Sequence, residues 1–381
     1  MNKKLGYYTC AGFEFESKIR AAEVATSINR SIEWNFNNEA FGSYNWSIEP
    51  ELSLDQLYDL RARELREKYD YIILSYSGGS DSNNVLESFL RQGLFIDEIV
   101  TNWALDLTEK FTVLDSTERS TWNHNAEFKL HTASRLDYIK NSSPKTKITM
   151  IDTSEILVKN LLIADDASWV RKKKEVLNVT GSSQFNYVYF SDIRKRLDKS
   201  NRVALINGTD KPKVKILDSK LYLYFIDKAV NMVSIQDHIE EYPNAEPVFF
   251  YWDSDCCDLL CKQAHTILKW IKANPHHIPT WESSDPVVIR RVQEELLKTI
   301  VYPSTWNPKW FQVVKSIEDW DSELDYWFTK GWQGTREYHI WKQGLDYVAS
   351  RVKNFLYYKD DGSVRGLRPY FSENYFIGTI K

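Results

Sequence analysis

The chain has 381 residues, of which 43% are hydrophobic and 27% are charged, and its formal net charge is -4. This length allows two domains, and the mildly acidic balance gives no global indication of binding to nucleic acid or to an acidic membrane surface. Four cysteines in a chain of this length do not make a disulfide framework. No apolar stretch approaches the roughly 20 residues that cross a bilayer, so we predict a cytoplasmic protein without a membrane partner.

The first predicted elements are two helices followed by a buried strand. Apolar spacing indicates helices at residues 17–29 and 54–68. Residues 71–76, with the sequence YIILSY, form a continuous apolar run that is typical of a strand in the middle of a parallel sheet. A helix at 83–92 and a strand at 98–103 are predicted to follow.

The alternation of helices and strands continues to residue 206. Helices are predicted at 123–140, 154–163 and 192–199, and strands at 147–152 and 202–206. Strands that alternate with helices predict an α/β fold with a parallel sheet and right-handed crossovers.

After residue 215 the pattern changes. Residues 220–226 are predicted as a strand or a hairpin, and helical spacing returns at 259–274 and 286–300. Nine of the 14 tryptophans lie after residue 240. Large aromatic side chains favour a packed core, and a surface for a partner or a ligand is the alternative interpretation.

A glycine-rich turn, Ser77-Gly78-Gly79-Ser80-Asp81-Ser82, follows the first predicted strand of the sheet. Ligands of open parallel sheets bind at the carboxyl ends of the strands. A turn of this kind offers free backbone N–H groups, and the next helix adds its positive end, so the segment predicts a phosphate site. It matches neither GxxxxGK[ST] nor GxGxxG. An ordinary turn with a capping serine or aspartate is the alternative.

The six residues resemble the SGGxDS signature of the N-type ATP pyrophosphatases, the PP-loop family. GMP synthetase, NAD synthetase, asparagine synthetase, tRNA thiolation enzymes and, more distantly, PAPS reductase belong to this family. The later run EPVFFYWDSD is similar to asparagine synthetase-like and PAPS reductase-like proteins of tailed phages. A viral origin would place the protein in the host cytoplasm.

The resemblance covers residues 69–216 and implies a HUP-like fold, the adenine nucleotide alpha hydrolase architecture, with a parallel sheet flanked by helices. We therefore expect three regions: an N-terminal helical extension (1–68), an ATP pyrophosphatase domain (69–240), and a mainly helical, tryptophan-rich domain (241–381). The third region is expected to select the substrate or to bind partners, and the chain is a candidate homo-oligomer.

The resemblance also implies ATP and Mg²⁺ as cofactors. Asp81 and Lys211 are the candidate catalytic residues, Lys211 because a lysine there neutralises the charge that grows on departing pyrophosphate. Asp81 and Asp210 are the candidate Mg²⁺ ligands. The expected ATP and pyrophosphate site comprises Ser75, Ser77, Gly78, Gly79, Ser80, Asp81, Ser82, Asn102, Trp103, Gly208, Asp210, Lys211 and Lys213.

Several of these assignments have structural alternatives. Asp81 is equally suited to capping the helix that it opens. Trp103 either stacks on the adenine base or fills the core. The segment at 207–213 also suits a polar turn that a proline closes.

The remaining polar clusters have weaker functional interpretations. Cys256, Cys257 and Cys261 are predicted to be core residues, because a metal or iron–sulfur site needs more ligands at CxxC spacing. The basic run at 171–174 is predicted to be a solvated face, with an acidic substrate or tRNA as the alternative partner.

Three functions are compatible with the sequence. The leading hypothesis is an AMP-forming ligase that adenylates an oxygen of an unidentified small-molecule acceptor and passes it to ammonia or an amine. The second is a nucleobase- or tRNA-modifying enzyme that transfers nitrogen or sulfur. The third is a PAPS reductase-like or nucleotide-binding protein without adenylation chemistry.

Overall fold

The computed structural model describes residues 6–109, 128–155, 158, 201–208, 211–227, 245–283, 288, 294–307, 323–358 and 364–380. The chain begins with a small antiparallel sheet of strands β1 (Tyr7–Cys10), β2 (Phe13–Phe15) and β3 (Glu33–Asn35), in the order β2-β1-β3. The N-terminal region was expected to be a helical extension, and this sheet corrects that description.

Three helices accompany this small sheet. Helix α1 (Lys18–Ile28) begins where the Ser17 hydroxyl accepts a hydrogen bond from the Arg20 backbone N–H and ends at Asn29 in the left-handed conformation. The short helix α2 (Asn38–Ser43) precedes α3 (Leu54–Lys68), which opens with a capping box between Ser53 and Gln56. The predicted helices at 17–29 and 54–68 are confirmed.

The centre of the molecule is a five-stranded parallel sheet flanked by helices. Its strands are β4 (Tyr71–Ser75), β5 (Glu98–Trp103), β6 (Lys147–Asp152), β7 (Val203–Asn207) and β10 (Ala245–Phe249), in the spatial order β10-β7-β4-β5-β6. The interior residues of β4 and β7 and the first four residues of β5 are buried, as the apolar character of these strands predicts. The four predicted strands are confirmed within one residue at each end.

The fifth strand was not expected. β10 pairs in parallel with β7 although it lies beyond the predicted region boundary at residue 240. Its sequence AEPVF is short and contains a proline, so it carries little strand signal. β10 is an edge strand, where a missing backbone N–H is tolerated.

The helices that connect these strands are described in part. Helix α4 (Ser80–Leu90) begins three residues before the predicted start at 83, because Gly79 is extended and serves as the N-cap. The short helix α5 (Leu105–Thr108) follows β5, and a π-helical turn at Phe128–Thr132 leads into α6 (Ala133–Ser142). The predicted helix at 192–199 and most of the one at 154–163 lie outside the described residues.

A second antiparallel sheet joins the middle of the chain to its end. Strands β8 (Lys213–Leu217) and β9 (Lys220–Tyr224) form a hairpin, and β13 (Tyr375–Thr379) pairs with β9. The segment predicted as a strand or a hairpin at 220–226 is a strand, and it forms the second half of this hairpin. Strands β11 (Leu356–Tyr358) and β12 (Val364–Leu367) form a separate pair.

The C-terminal region is mainly helical, as predicted, although these last strands interrupt the pattern. Its helices are α7 (Cys257–Ala273), α8 (Ile278–Glu282), α9 (Glu294–Val301), α10 (Glu323–Gly331) and α11 (Arg336–Arg351). Trp252, Trp281 and Trp327 are buried, in agreement with the aromatic-core interpretation. Trp327 and Phe328 are the buried residues of a small aromatic cluster, which packs against Leu107 of α5.

Buried side chains from all three predicted regions form one hydrophobic core, which runs from Tyr8 through the central sheet to Ile380. None of the helices in the described part of the chain has both the length and the apolar character that crossing a bilayer requires.

Candidate functional site

The topology of the central sheet points to its edge between β4 and β7 as the candidate site. From β4 the chain adds β5 and then β6 towards one edge of the sheet. It then returns to β7, on the other side of β4, and adds β10 at the opposite edge. The strand order therefore reverses between β4 and β7, whose last residues Ser75 and Asn207 are direct partners in the ladder. Ligands of open α/β sheets bind at such a point, outside the carboxyl ends of the strands.

The glycine loop follows β4 at this edge of the sheet. Gly78 has a φ of +78°, which favours glycine, and a Cβ placed there would lie 2.6 Å from Oγ1 of Thr132. The Gly79 N–H donates to Oγ of Ser77 at 3.2 Å, and the Ser82 hydroxyl donates to the Gly79 carbonyl at 3.2 Å. The conformation of the turn is therefore held by its own serines and requires glycine at position 78.

Thr132 is a residue of this site that the sequence analysis missed. It is fully buried at the end of the π-helical turn, and its hydroxyl donates to the Ser77 carbonyl at 2.7 Å. The contact links residues 55 positions apart. No local pattern predicts it, because the partner belongs to a different crossover of the sheet.

The first turn of α4 and the end of β7 contain buried polar side chains. Asn83 is fully buried, and its Oδ1 accepts from Nη2 of Arg135 at 2.7 Å. Among the described residues, Nδ2 of Asn83 and Nδ2 of Asn207 are buried without a hydrogen-bond partner. Buried donors of this kind normally have an acceptor. The positive end of α4 by itself favours an anionic ligand.

Asp81 and Lys211 meet at the same helix end. Nζ of Lys211 lies 3.1 Å from Oδ2 and 3.3 Å from Oδ1 of Asp81, and only 4% of Lys211 is exposed. The Tyr302 hydroxyl donates to Oδ1 of Asp81 at 2.7 Å. The structure thus brings the two predicted catalytic residues into contact.

This geometry does not fit the expected role of Asp81 as a Mg²⁺ ligand. Both carboxylate oxygens already receive donors, and the neighbouring ammonium group repels a cation. In the described ranges no group of three or more His, Cys, Asp or Glu side chains is arranged to hold a metal ion. Asp81 is also not the N-cap, a position that Gly79 occupies. The other expected ligand, Asp210, lies outside the described residues.

Residues from the C-terminal half hold the start of α4. The Tyr251 hydroxyl donates to the Asp81 carbonyl at 2.9 Å and accepts from Nδ2 of Asn84 at 3.0 Å. Thr305 donates to Oδ1 of Asn84 at 2.7 Å. Burial, with a contribution from the Asp81 charge, raises the pKa of both Tyr251 and Tyr302 well above the ordinary value, so both hydroxyls remain protonated donors.

Two further predicted binding residues, Gly208 and Lys213, have positions that the packing of the fold explains. A Cβ on Gly208 would lie 3.0 Å from Cα of Ser82 and 3.1 Å from the Asp81 carbonyl, so close packing of β7 on α4 accounts for this glycine. Lys213 is the half-buried first residue of β8.

The remaining predicted binding residues lie at strand ends. Ser75 and Asn102 are exposed near the carboxyl ends of β4 and β5. Trp103 is buried, its indole N–H donates to Oγ1 of Thr101, and its ring centroid lies 5.7 Å from that of Phe128. This packing agrees with the core-filling alternative for Trp103.

The cysteines lie away from the glycine loop, at the start of α7. Cys256 and Cys261 are buried, as predicted for core residues, and Cys257 is partly exposed. Burial raises the pKa of Cys256 to about 12, of Cys257 to about 11 and of Cys261 to about 12. These thiols are therefore protonated at neutral pH and poorly suited to nucleophilic or redox chemistry.

Cys257 is expected to react slowly with iodoacetamide in the native protein at pH 8. A thiol with a raised pKa has a small thiolate fraction at that pH, and this fraction increases with pH until the pKa is reached. We expect a rate about 100-fold below that of the same cysteine in urea, where the ordinary pKa applies. Mass spectrometry of the labelled peptide measures both rates. Fast labelling of Cys257 in the native protein at pH 7 would contradict the raised pKa of this thiol.

No protein-family model and no curated protein matches this chain. The basic run at 171–174, the candidate contact for an acidic substrate or tRNA, lies outside the described residues.

Proposed function

We propose that the protein is an ATP-dependent, AMP-forming synthetase of the PP-loop type with a HUP-like fold. One observation carries the proposal: a glycine loop with a left-handed Gly78 leads into the N-terminus of α4 at the strand-order reversal of a parallel sheet. Backbone N–H groups at a helix start are suited to phosphate oxygens. The loop lacks the Lys-Ser/Thr of the Walker A motif, and its resemblance to the SGGxDS signature implies cleavage between the α- and β-phosphates.

In this proposal a substrate oxygen attacks the α-phosphorus of ATP. A new O–P bond forms, the bond between the α-phosphorus and the bridging oxygen breaks, and pyrophosphate leaves with the electron pair. Ammonia or an amine then attacks the carbon that carries the adenylated oxygen. A C–N bond forms, the C–O bond breaks, AMP leaves with the electron pair, and the nitrogen releases a proton to water. The glycine loop with Ser77 and Ser82 holds the pyrophosphate portion, and Lys211 neutralises its growing charge.

Magnesium is proposed to arrive with the nucleotide rather than to be held by Asp81. Mg²⁺ commonly binds through substrate phosphates, water and only one or two carboxylates. No chemical step above depends on a metal ligand from this chain.

The products of ATP turnover test the proposal. The full-length protein is incubated with ATP labelled at the α-phosphate, Mg²⁺ and a panel of carboxylate, nucleobase and amine acceptors, and the products are separated by chromatography. Labelled AMP with pyrophosphate, dependent on an acceptor, is the expected result. Labelled ADP contradicts it. ATP binding without turnover would favour the alternative of a nucleotide-binding protein.

Lys211→Gln is expected to weaken ATP binding about tenfold, because a charge-assisted contact to phosphate is lost. Isothermal titration calorimetry measures the change. Lys68→Gln is the matched control, since Lys68 ends α3 and lies at the opposite, amino end of β4. An equal loss in both variants would show that Lys211 has no specific role.

A further inference from the structure

We infer that Asp81 and the pyrophosphate portion of the nucleotide compete for Lys211, so that Asp81 limits nucleotide affinity instead of adding to it. The inference rests on the proposed function, because it concerns the same phosphate site. It assigns Asp81 the role of an internal anion.

The first argument is the burial of the lysine. Lys211 is 4% exposed, and its ammonium group lies within 3.3 Å of both Asp81 oxygens. A buried ammonium group needs a nearby anion to offset its lost hydration. Since Pro212 follows directly, the backbone at Lys211 is restricted to extended conformations, so the lysine reaches different anions mainly by changing its side-chain rotamer.

The second argument is the position of the carboxylate. Asp81 is the acidic residue in the first turn of α4, so its charge interacts with the same helix end that is proposed to bind phosphate. The carboxylate and the proposed phosphate therefore lie at the same helix end as the Lys211 ammonium group. This one ammonium group pairs closely with either the carboxylate or the phosphate.

The third argument is the support that Asp81 receives from elsewhere. Tyr302 donates to Oδ1 at 2.7 Å, and Tyr251 holds the backbone carbonyl of the same residue. These contacts do not depend on Lys211. The Tyr302 hydroxyl stays on the Asp81 carboxylate after the lysine has moved, and the Tyr251 contact holds the backbone of the same residue in place.

The test is a double-mutant cycle on binding of pyrophosphate in EDTA, measured by calorimetry with the full chain. Asp81→Asn keeps the size and the acceptor oxygen, and it is expected to bind pyrophosphate about tenfold more tightly than the unaltered protein. In the Lys211→Gln background the same substitution is expected to change affinity less than about threefold. A gain of equal size in both backgrounds would mean simple charge repulsion, and weaker binding by Asp81→Asn would mean that Asp81 supports the ligand. Either result overturns the inference.

A crystal structure of the unaltered protein with pyrophosphate tests the same point without a substitution. The expected result is Nζ of Lys211 in hydrogen-bond contact with a phosphate oxygen and separated from Asp81. A bound pyrophosphate with the Lys211–Asp81 ion pair intact overturns the inference and leaves the proposed function standing. If the unaltered protein binds neither pyrophosphate nor ATP, the proposed function itself fails, and the inference fails with it.

Discussion

Replacement of Gly78 by alanine is expected to abolish ATP binding and to destabilise the protein by about 2–5 kcal/mol. The backbone at Gly78 has a φ of +78°, which a side chain disfavours, and a Cβ would lie 2.6 Å from Oγ1 of Thr132. The clash forces either the loop or the start of α6 to move. The N–H groups proposed to bind phosphate then lose their arrangement. Urea denaturation and calorimetry with ATP measure the two effects.

Gly93→Ala is the matched control for this substitution. Gly93 has a similar φ of +68°, but its added Cβ would meet nothing within 4 Å. We expect only the backbone strain of about 1–2 kcal/mol and unchanged ATP affinity. Thr132→Ala in the Gly78→Ala background should recover stability only in part, because Cα of Thr132 would still lie 2.9 Å from the new methyl group. Normal ATP binding by Gly78→Ala would count against the glycine loop as the site.

Lys18→Met is expected to reduce the free energy of unfolding by about 3–5 kcal/mol. This is the largest loss of stability that we predict for the removal of one charged side chain. Lys18 and Asp227 form an ion pair of 2.6 Å with side-chain exposures of 1% and 0%. The Tyr8 hydroxyl and the Tyr370 backbone N–H also donate to the Asp227 carboxylate. Without the lysine this carboxylate would remain buried and would lose its ion-pair partner. Chemical denaturation followed by circular dichroism measures the loss.

Lys140→Met provides the contrast, because the Lys140–Asp137 pair is 63% and 73% exposed. We expect a change within about 0.5 kcal/mol. The double variant Lys18→Met, Asp227→Asn should lose less stability than the two single variants lose in sum, since it removes both members of the buried pair. Equal effects of the Lys18 and Lys140 substitutions would contradict the role assigned to burial.

Much of the fold was predictable from local patterns. The helix at Leu54–Lys68 and the strands at Glu98–Trp103 and Lys147–Asp152 agree with the predicted bounds, because each has a clear period or a continuous apolar run. β10 was not predicted, since a short edge strand with a proline has little signal of its own. The pairing of β13 with β9 was also not predicted, because it joins distant parts of the chain.

The candidate site likewise has a part that was predictable from the sequence and a part that was not. The strand, the two glycines and the helix start are contiguous, so their geometry follows from residues 71–90. Thr132, Tyr251 and Tyr302 reach the loop from other elements, and contacts over such separations leave no local pattern. Asp81 shows the limit of motif reading. Its position in the motif suggested a metal ligand or a cap, whereas its contacts are with Lys211 and Tyr302.

By itself the sequence determined the alternation of helices and strands, and it predicted a phosphate site at the segment SGGSDS, where two adjacent glycines allow unusual backbone angles. These properties depend on neighbouring residues and on backbone sterics. Only the tertiary structure decided that the loop lies at the strand-order reversal between β4 and β7, and that Lys211 is paired with Asp81. Strand order and side-chain pairing arise from packing between residues far apart in the chain. The free energy of folding that favours them is distributed over many such contacts, so no single segment of the sequence predicts them.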